Sequence, residues 1–313
     1  MYKKKRLGLA ILLTAIFLAA CQKTADNPTQ ADPSTPVQAE QAEPDGTADS
    51  GSAADKDDAL NQPPSGEPIT LTFGHGQAEG HPYQTAALYF KDQVEKESGG
   101  TITVEVSPNG TLGDEREQIE GLQMGTIDIT VAVAAALSGF DSNMDVFNMP
   151  YLFGSREEAF KVLDGEVGQS IFKGLESQGI RTFGTFDLGF RSMTNSIRPI
   201  TSPEDCQGIR MRTLESSVCV DALGCLGIDA VSMSFSELFT SLQTGAVDGQ
   251  ENPLFTIYNS RFYEVQKYLS LTEHFYPVCP VMMSDITWNK LSADQQEIVS
   301  KAMVEAVAYE REL

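Results

Sequence analysis

Arg210 and Arg212 are the residues whose type and spacing best suit the binding of an anion. They alternate with Ile209, Met211 and Thr213, and a period of two is typical of a half-buried strand, so both guanidinium groups point to the same face. A planar guanidinium carries parallel donors that match the two oxygens of a carboxylate. Taken alone, the pattern favours two cations exposed to water, because most arginines in proteins are solvated.

The residues that follow predict a parallel α/β unit that would present Arg212 to a ligand. Ligands of parallel sheets bind beyond the carboxyl ends of the strands, and we expect Arg212 and Asn252 to converge there. The predicted elements are a helix over 216–226, a strand over 230–233, a helix that begins at a capping box at 234–237 and ends at Gly245, and a tight connection over 248–252.

Five short motifs occur in an order and at a spacing that point to one family. The chain resembles the extracytoplasmic solute receptors of TRAP (tripartite ATP-independent periplasmic) transporters, in the C4-dicarboxylate or DctP-like branch. The resemblance runs from about Ile69 to the end of the chain and implies a two-domain, periplasmic-binding-protein-like α/β fold with a hinged cleft between the domains. The motifs are RSMTNS (191–196), GIRMRT (208–213), MSFSELF (233–239), GAVDGQENP (245–253) and FYEVQKY (262–268).

The resemblance implies an anion site built around Arg212. In related receptors the arginine at this position pairs with the ligand carboxylate through two hydrogen bonds, and residues matching Arg191 and Asn252 assist it. Arg210 is expected to be a solvated or structural cation, although it shares a strand face with Arg212 and competes for the same role.

The resemblance also implies a wall of ligand-contacting side chains. Phe235 matches an aromatic residue that contacts the ligand in relatives, and its alternative role is a core residue beneath a helix. His75, Val133 and Glu215 match positions that line the cleft, and a purely structural role is the alternative for each. His75 would form a hydrogen bond with a hydroxyl group or donate one to a second carboxylate.

Alternating strand and helix patterns predict the remainder of the folded body. We expect one domain over 69–190 and 279–313 and a second over 191–278. Members of the family continue beyond the position of Leu313, so we expect either a truncated chain or an unusual closure of the second domain. The patterns predict strands over 69–73, 101–106, 127–133 and 180–186, and helices that begin at His81, Gly113, Ser155 and Ser292.

The first 68 residues have the composition of an export signal and a tether. Residues 1–20 combine a basic start with an apolar run too short for a membrane span, which indicates a secretory signal peptide. The signal ends at a sequence that resembles a lipobox, so Cys21 would be lipidated. Residues 21–68 lack periodic apolar residues, and we expect a disordered tether at the outer face of the membrane or in the periplasm.

The net charge of −22, from 22 basic and 44 acidic residues, argues against partners such as nucleic acid or an anionic membrane surface. It does not exclude an anionic ligand, because surface charges are screened over about 8 Å at physiological salt, whereas a carboxylate ~4 Å from a partly buried arginine gains ~4 kcal/mol. The cysteines and histidines lack metal-ligand spacing, and neither a metal nor a cofactor is expected.

These observations predict a solute-binding lipoprotein that performs no chemistry on its ligand. It would capture a small organic acid, either a C4-dicarboxylate or a sugar acid, and deliver it to the membrane subunits of a TRAP permease. One alternative is a lipoprotein sensor that reports the ligand to a membrane kinase. The other is an enzyme that uses Asp248 and Glu251 as paired carboxylates, although the sequence has no nucleophile motif or phosphate-binding loop.

Overall fold

In a computed structural model, which describes residues 65–313, the strands form two five-stranded sheets. We call each sheet with its helices a lobe. The first sheet is mainly parallel, and its returning strand runs antiparallel to both neighbours. Its strands, in spatial order, are β2 (Ile102–Ser107), β1 (Ile69–His75), β3 (Ile129–Val131), β10 (Cys279–Ser284) and β4 (Ile180–Phe186).

The helices of the first lobe begin where local sequence signals predict. Asp114 and Ser292 each form a reciprocal capping box with the residue three positions later, and His81 accepts a hydrogen bond from the Tyr83 N–H at the start of the first helix. The helices are α1 (Pro82–Glu97), α2 (Glu115–Met124), α3 (Ala134–Leu137), α4 (Arg156–Leu163), α5 (Glu166–Phe172), α9 (Asp285–Trp288) and α10 (Ala293–Glu312), with 3-10 turns at Ser142–Asn148 and Lys173–Gln178.

The second sheet mixes parallel and antiparallel pairs around one central strand. Its strands, in spatial order, are β7 (Asp229–Ser232), β6 (Arg210–Thr213), β8 (Gly249–Pro253), β5 (Arg191–Asn195) and β9 (Tyr268–Phe275). The β6–β7 and β6–β8 pairs are parallel, whereas β5 runs antiparallel to β8 and β9. The helices are α6 (Ser217–Gly224), α7 (Leu238–Thr244) and α8 (Leu254–Asn259), with 3-10 turns at Pro203–Cys206 and Phe262–Glu264.

The prediction of a tight connection over 248–252 is wrong. Residues 249–253 form β8, and all five are buried at the centre of the sheet. The stretch is polar, which is why its sequence suggested a turn. Its buried polar side chains are nevertheless satisfied from neighbouring strands: Gln250 donates to the Thr194 hydroxyl at 2.8 Å, and the Thr213 hydroxyl donates to Glu251 at 3.0 Å.

Two other local predictions need correction. The capping box predicted at 234–237 is absent, because the Ser234 hydroxyl donates to the Glu237 side chain at 3.2 Å and α7 begins only at Leu238. The predicted disordered tether is wrong for its last four residues, 65–68. The Ser65 N–H donates to Asp294 at 3.0 Å, and the Glu67 carbonyl accepts from Gln295 at 3.1 Å, so this segment lies against the start of α10.

The chain passes between the lobes twice. The first crossing follows β4 and the second precedes β10, and the Tyr276 hydroxyl joins them by donating to an Asp187 carboxylate oxygen at 2.8 Å. This α/β architecture of two sheets agrees with the predicted fold class. The domain limits, 69–190 with 279–313 and 191–278, remain a prediction, and they coincide with the division of the strands between the sheets.

A large apolar core fills the first lobe and continues beneath the second sheet, and a smaller one packs α7 against the 3-10 turn at Phe262–Glu264. Among residues 65–313, no helix has both the length and the apolar character needed to cross a membrane. The predicted signal peptide, the lipidation site Cys21 and most of the tether lie outside the described residues.

Candidate functional site

Arg212 is a buried cation whose hydrogen-bonding capacity is not filled. Only 2% of its surface is exposed, its Nε–H donates to the Met233 carbonyl at 2.9 Å, and its Nη1 is buried without a partner. The ion pairs of arginine found among residues 65–313 all belong to other arginines. Burial, followed by the charge of Arg191, lowers the pKa of Arg212 to about 10, so the group stays protonated near neutrality. A buried donor without a partner is costly, and an anion would satisfy it.

Asn252 lies on the same face of the sheet as Arg212. Arg212 on β6 is in register with Gln250 on β8, and Gln250 and Asn252 share a face because they are two residues apart in the strand. The Asn252 amide donates to the Gln250 side-chain oxygen at 2.5 Å, and Gln250 in turn donates to Thr194. The structure therefore places Arg212 and Asn252 on the same face of the second sheet, and their convergence on a ligand remains a prediction.

Arg191 lies on the opposite face, where it pairs with Glu251. Arg191 is 1% exposed, its Nε–H pairs with Glu251 Oε2, and its Nη2 lies 3.2 Å from Glu251 Oε1. Burial alone would raise the pKa of Glu251, but the charge and hydrogen bonds of Arg191 outweigh burial and hold that pKa below its ordinary value. The structure does not bring Arg191 and Arg212 together as a two-arginine clamp, because Glu251 already neutralises Arg191.

His274 stands beside this ion pair as a neutral group. Its Nε2 lies 3.6 Å from Glu251 Oε2 and has no hydrogen-bond partner within residues 65–313, and its Nδ1 lies 2.8 Å from the Thr272 hydroxyl. Burial lowers the pKa of His274 to about 4, against the opposing charge of Glu251. Asp248 is engaged elsewhere, since its carboxylate accepts from the Arg210 N–H at 3.0 Å. The paired carboxylates of the enzyme alternative are therefore each committed to a different structural contact.

A cavity of about 300 Å³ lies between the lobes. The first lobe contributes Gln77 and Glu115 to its lining, and the second contributes Phe235, Phe239 and Phe262. Phe235 stacks edge-on against Phe262, with ring centroids 6.1 Å apart, so it is both a cavity wall and part of the smaller core. Arg212 does not itself line the cavity.

The other predicted wall residues lie around the cavity rather than on its surface. His75 ends β1 and is fully buried, with Nε2 2.8 Å from the Gln84 side-chain oxygen and Nδ1 unpaired, and burial lowers its pKa. The N–H of Val133, a buried residue, donates to Glu115 Oε1 at 3.3 Å. Glu215 is exposed and does not line the cavity. The structure thus places His75 and Val133 directly behind the first-lobe wall.

Glu115 is the cavity residue that the sequence did not single out. It is the first residue of α2, it lines the cavity, and it is half-buried. Burial raises its pKa to about 7, while the Val133 N–H and the charge of Arg212 act in the opposite direction. Arg212 is linked to the cavity wall through Met233, whose carbonyl accepts from its Nε–H at 2.9 Å and which lies two residues before the lining residue Phe235. Acids are ordinary in the first turn of a helix, so the sequence carried no signal that separated Glu115 from a stabilising surface charge.

No group of three or more His, Cys, Asp or Glu side chains that could hold a metal ion occurs within residues 65–313. The site therefore offers one unsatisfied buried cation, amide groups, aromatic walls and an acid. Such a set of groups binds and orients a small polar molecule.

A model of the family described as bacterial extracellular solute-binding protein, family 7 (DctP), matches residues 73–313. The C4-dicarboxylate-binding periplasmic protein DctP of Rhodobacter capsulatus is 35% identical to this chain over 255 residues, which cover 80% of this chain and 75% of that protein.

Two solved structures agree with this match. The sugar acid binding protein DctPAm of Advenella mimigardefordensis, in complex with galactonate, has a TM-score of 0.78 and 35% identity, covering 79% of this chain and 80% of that one. A TRAP periplasmic solute-binding protein of Sulfurospirillum deleyianum with bound succinate has a TM-score of 0.76 and 32% identity, covering 79% of each chain.

The predicted fold class is confirmed by these structures, and the relatives are binding proteins of transport systems rather than enzymes. The chain belongs to the DctP family, family 7 of the bacterial extracellular solute-binding proteins, and is a solute-binding protein of the TRAP type.

Proposed function

We propose that this protein captures a small organic acid in the cavity between its lobes, through a salt bridge between Arg212 and the ligand carboxylate. The observation that carries the proposal is the buried Nη1 of Arg212, which has neither a hydrogen-bond partner nor a counter-ion among residues 65–313. Asn252, on the same sheet face, assists in orienting the carboxylate, and Phe235 covers the ligand from the second lobe.

The magnitudes favour an anionic ligand in spite of the acidic surface. A charge-assisted hydrogen bond contributes about 1.5–3 kcal/mol, and a guanidinium forms two with one carboxylate. Relatives of similar fold bind acids of this size, namely galactonate in one case and succinate in another. Arg191 supports the site indirectly in this proposal. Its charge is neutralised by Glu251, and the ion pair holds β5 and β8 together.

The proposal is tested by calorimetric titration of the purified protein with sugar acids, C4-dicarboxylates and 2-oxo acids. Arg212→Ala should weaken binding of the best acid by about tenfold to a thousandfold. Arg210→Ala is the matched control, because Arg210 lies on the same strand face but is exposed, 3.9 Å from Asp229. If no acid binds, or if Arg212→Ala binds as tightly as the intact protein, the proposal is wrong.

We further propose that residues 1–20 direct export, that Cys21 carries the lipid anchor, and that the bound acid passes to the membrane subunits of a TRAP permease. The lipobox-like sequence before Cys21 and the family membership support this part. A Cys21→Ser variant should move from the membrane fraction to the soluble fraction of cells that express the whole chain. Acid uptake should then require both the permease and the lipidated receptor, and unchanged fractionation of the variant would contradict the anchor.

A further inference from the structure

The charged side chains that line the cavity between the lobes are all acidic. The lining contains Asp114 and Glu115 and no lysine, arginine or histidine. Arg212, whose Nη1 has no partner among residues 65–313, does not belong to the lining. A ligand held by Arg212 that also reaches the start of α2 therefore meets a cation and an acid.

The carboxylates of Asp114 and Glu115 differ in how much of their hydrogen-bond acceptor capacity is already used. The Asp114 carboxylate caps α2 by accepting from the Glu117 N–H at 2.9 Å, and this geometry commits it to the helix. The Glu115 carboxylate has a single hydrogen bond with residues 65–313, a long one of 3.3 Å from the Val133 N–H. Glu115 thus retains acceptor capacity that faces the cavity, and a carboxylate accepts hydrogen bonds without donating any when it is ionised.

Neutral groups complete the lining, and one of them has an unused donor. Gln77, Asn109 and Ser236 line the cavity, as does Asn259, whose Nδ2 is buried and has no hydrogen-bond partner in the described part of the chain. Carboxamides and an acid that accepts hydrogen bonds match hydroxyl groups, which donate and accept at once. The aromatic wall of the second lobe suits the carbon side of such a chain.

We propose that the preferred ligand is a monocarboxylate that carries several hydroxyl groups, and that Glu115 selects it by binding a hydroxyl group and repelling a second carboxylate. The inference rests on the proposed binding of a carboxylate by Arg212. Discrimination arises because a hydroxyl at the far end donates to Glu115, whereas a carboxylate there places two like charges in contact inside a half-buried site.

Protonation of Glu115 gives the selectivity a pH dependence. Burial raises the pKa of Glu115 to about 7, and the charged groups that act on it are Arg212 on β6, Arg191 on β5 and Glu215 after β6. The neighbouring acid Asp114 lines the same cavity. Arg212 stays protonated across the range of interest, since its pKa lies at about 10. Repulsion of a second carboxylate should therefore be strong above the pKa of Glu115 and weak below it.

The test is calorimetric titration with ligand pairs that differ only at the terminal carbon, erythronate against meso-tartrate and galactonate against galactarate. In the intact protein at about pH 8.5, the monocarboxylate of each pair should bind at least about tenfold more tightly, and the ratio should shrink at about pH 6. Glu115→Gln should reduce the ratio and remove its pH dependence. Glu120→Gln, on a partly exposed position of the same helix, should leave both unchanged.

The outcomes separate this inference from the function on which it rests. A dicarboxylate that binds as tightly as its partner, or a ratio that Glu115→Gln leaves intact, would overturn the role of Glu115 while acid binding through Arg212 stands. If neither acid of any pair binds to the intact protein, the proposed function itself is wrong. The comparison within the intact protein holds even if Glu115→Gln folds poorly, and a melting curve of the variant identifies that case.

Discussion

Arg191 and Arg212 project from opposite faces of the same sheet. The register of β5 with β8 places Arg191 on the face of Glu251, and the register of β6 with β8 places Arg212 on the face of Gln250. One arginine has a buried carboxylate partner and the other has none among the described residues. A single sheet thus separates a structural ion pair from a cation available to a ligand.

Removal of the carboxylate from the structural pair should destabilise the protein. Glu251→Gln leaves Arg191 buried without its counter-ion, and breaking a buried pair from one side costs about 3–5 kcal/mol. A loss of this size lowers the melting temperature by roughly 6 °C or more in a domain of this size. The double variant Arg191→Met with Glu251→Met should recover part of the loss in a calorimetric scan. A single variant as stable as the parent would show that the pair contributes nothing.

Stability should fall as the pH rises from about 7.5 to about 9, above the range in which histidines titrate. Burial raises the pKa of Glu310 to about 8, although the Asp187 N–H donates to its carboxylate at 2.7 Å. A carboxyl with a higher pKa in the folded chain binds more protons when folded, so its contribution to stability is complete below the ordinary value of 4.5 and is lost as the pH rises through 8. Glu115 acts in the same direction through about 7.

The measurement is a series of melting temperatures between about pH 7.5 and about pH 9, where histidines are mostly neutral in both states. Glu310→Gln should flatten the decline, because the amide does not titrate. Glu312→Gln, an exposed position near the same helix end, should not. An unchanged slope in Glu310→Gln would mean that Glu310 does not titrate as described.

The central strand of the second sheet should tolerate no added methyl group at Gly249. A Cβ there would lie 2.4 Å from the Thr194 carbonyl oxygen and 2.9 Å from Asn195 Cβ, and β5 cannot retreat without breaking its ladder. Gly249→Ala should cost about 1–3 kcal/mol or more in denaturant unfolding. In contrast, Gly224→Ala in α6 meets no atom within 4 Å and should be neutral or stabilising by up to about 1 kcal/mol. Equal effects would contradict the tight approach of β5 and β8.

Asn252 should affect ligand affinity, whereas Thr194 should affect stability alone. Asn252→Ala removes an amide on the Arg212 face and should weaken acid binding by about five- to thirtyfold, the equivalent of one hydrogen bond. Thr194→Val removes the hydroxyl that accepts from Gln250 but leaves Asn252 in place. Titration and melting of both variants distinguish the roles. An Asn252→Ala variant with reduced stability and unchanged affinity would make Asn252 purely structural.

Local signals allowed much of the first lobe to be predicted from the sequence. β4 occupies 180–186 as predicted, and the capping box at Ser292 marks the start of α10. Gly125 ends α2 in the left-handed region at φ 68°, a conformation that glycine adopts without strain. In each case the cause lies within a few residues of the element, so sequence-distant contacts were not needed to find it.

The central strand β8 and the role of Glu115 depended on residues far away in the sequence. β8 is polar, and it is a strand because β5 and β6 supply ladder partners and side-chain hydrogen bonds from about sixty and forty positions away. From its local sequence Glu251 would be taken for an exposed acid, because its partner Arg191 is distant in the sequence. Glu115 likewise acquires its environment only when β6 brings Arg212 near the start of α2. Pairing across the fold, rather than local preference, decided these positions.

The contact between Tyr276 and Asp187 constrains how the two halves of the molecule can move. The Tyr276 hydroxyl donates to the Asp187 carboxylate at 2.8 Å, and this hydrogen bond joins the two segments of chain that connect the lobes. Two neighbouring segments that are joined in this way resist a twist or a shift of one lobe against the other. The easiest movement is then a hinge rotation about the line that passes through both segments. Such a displacement follows a single coordinate, so one distance measured across the cavity, with a probe on each lobe, is enough to report it.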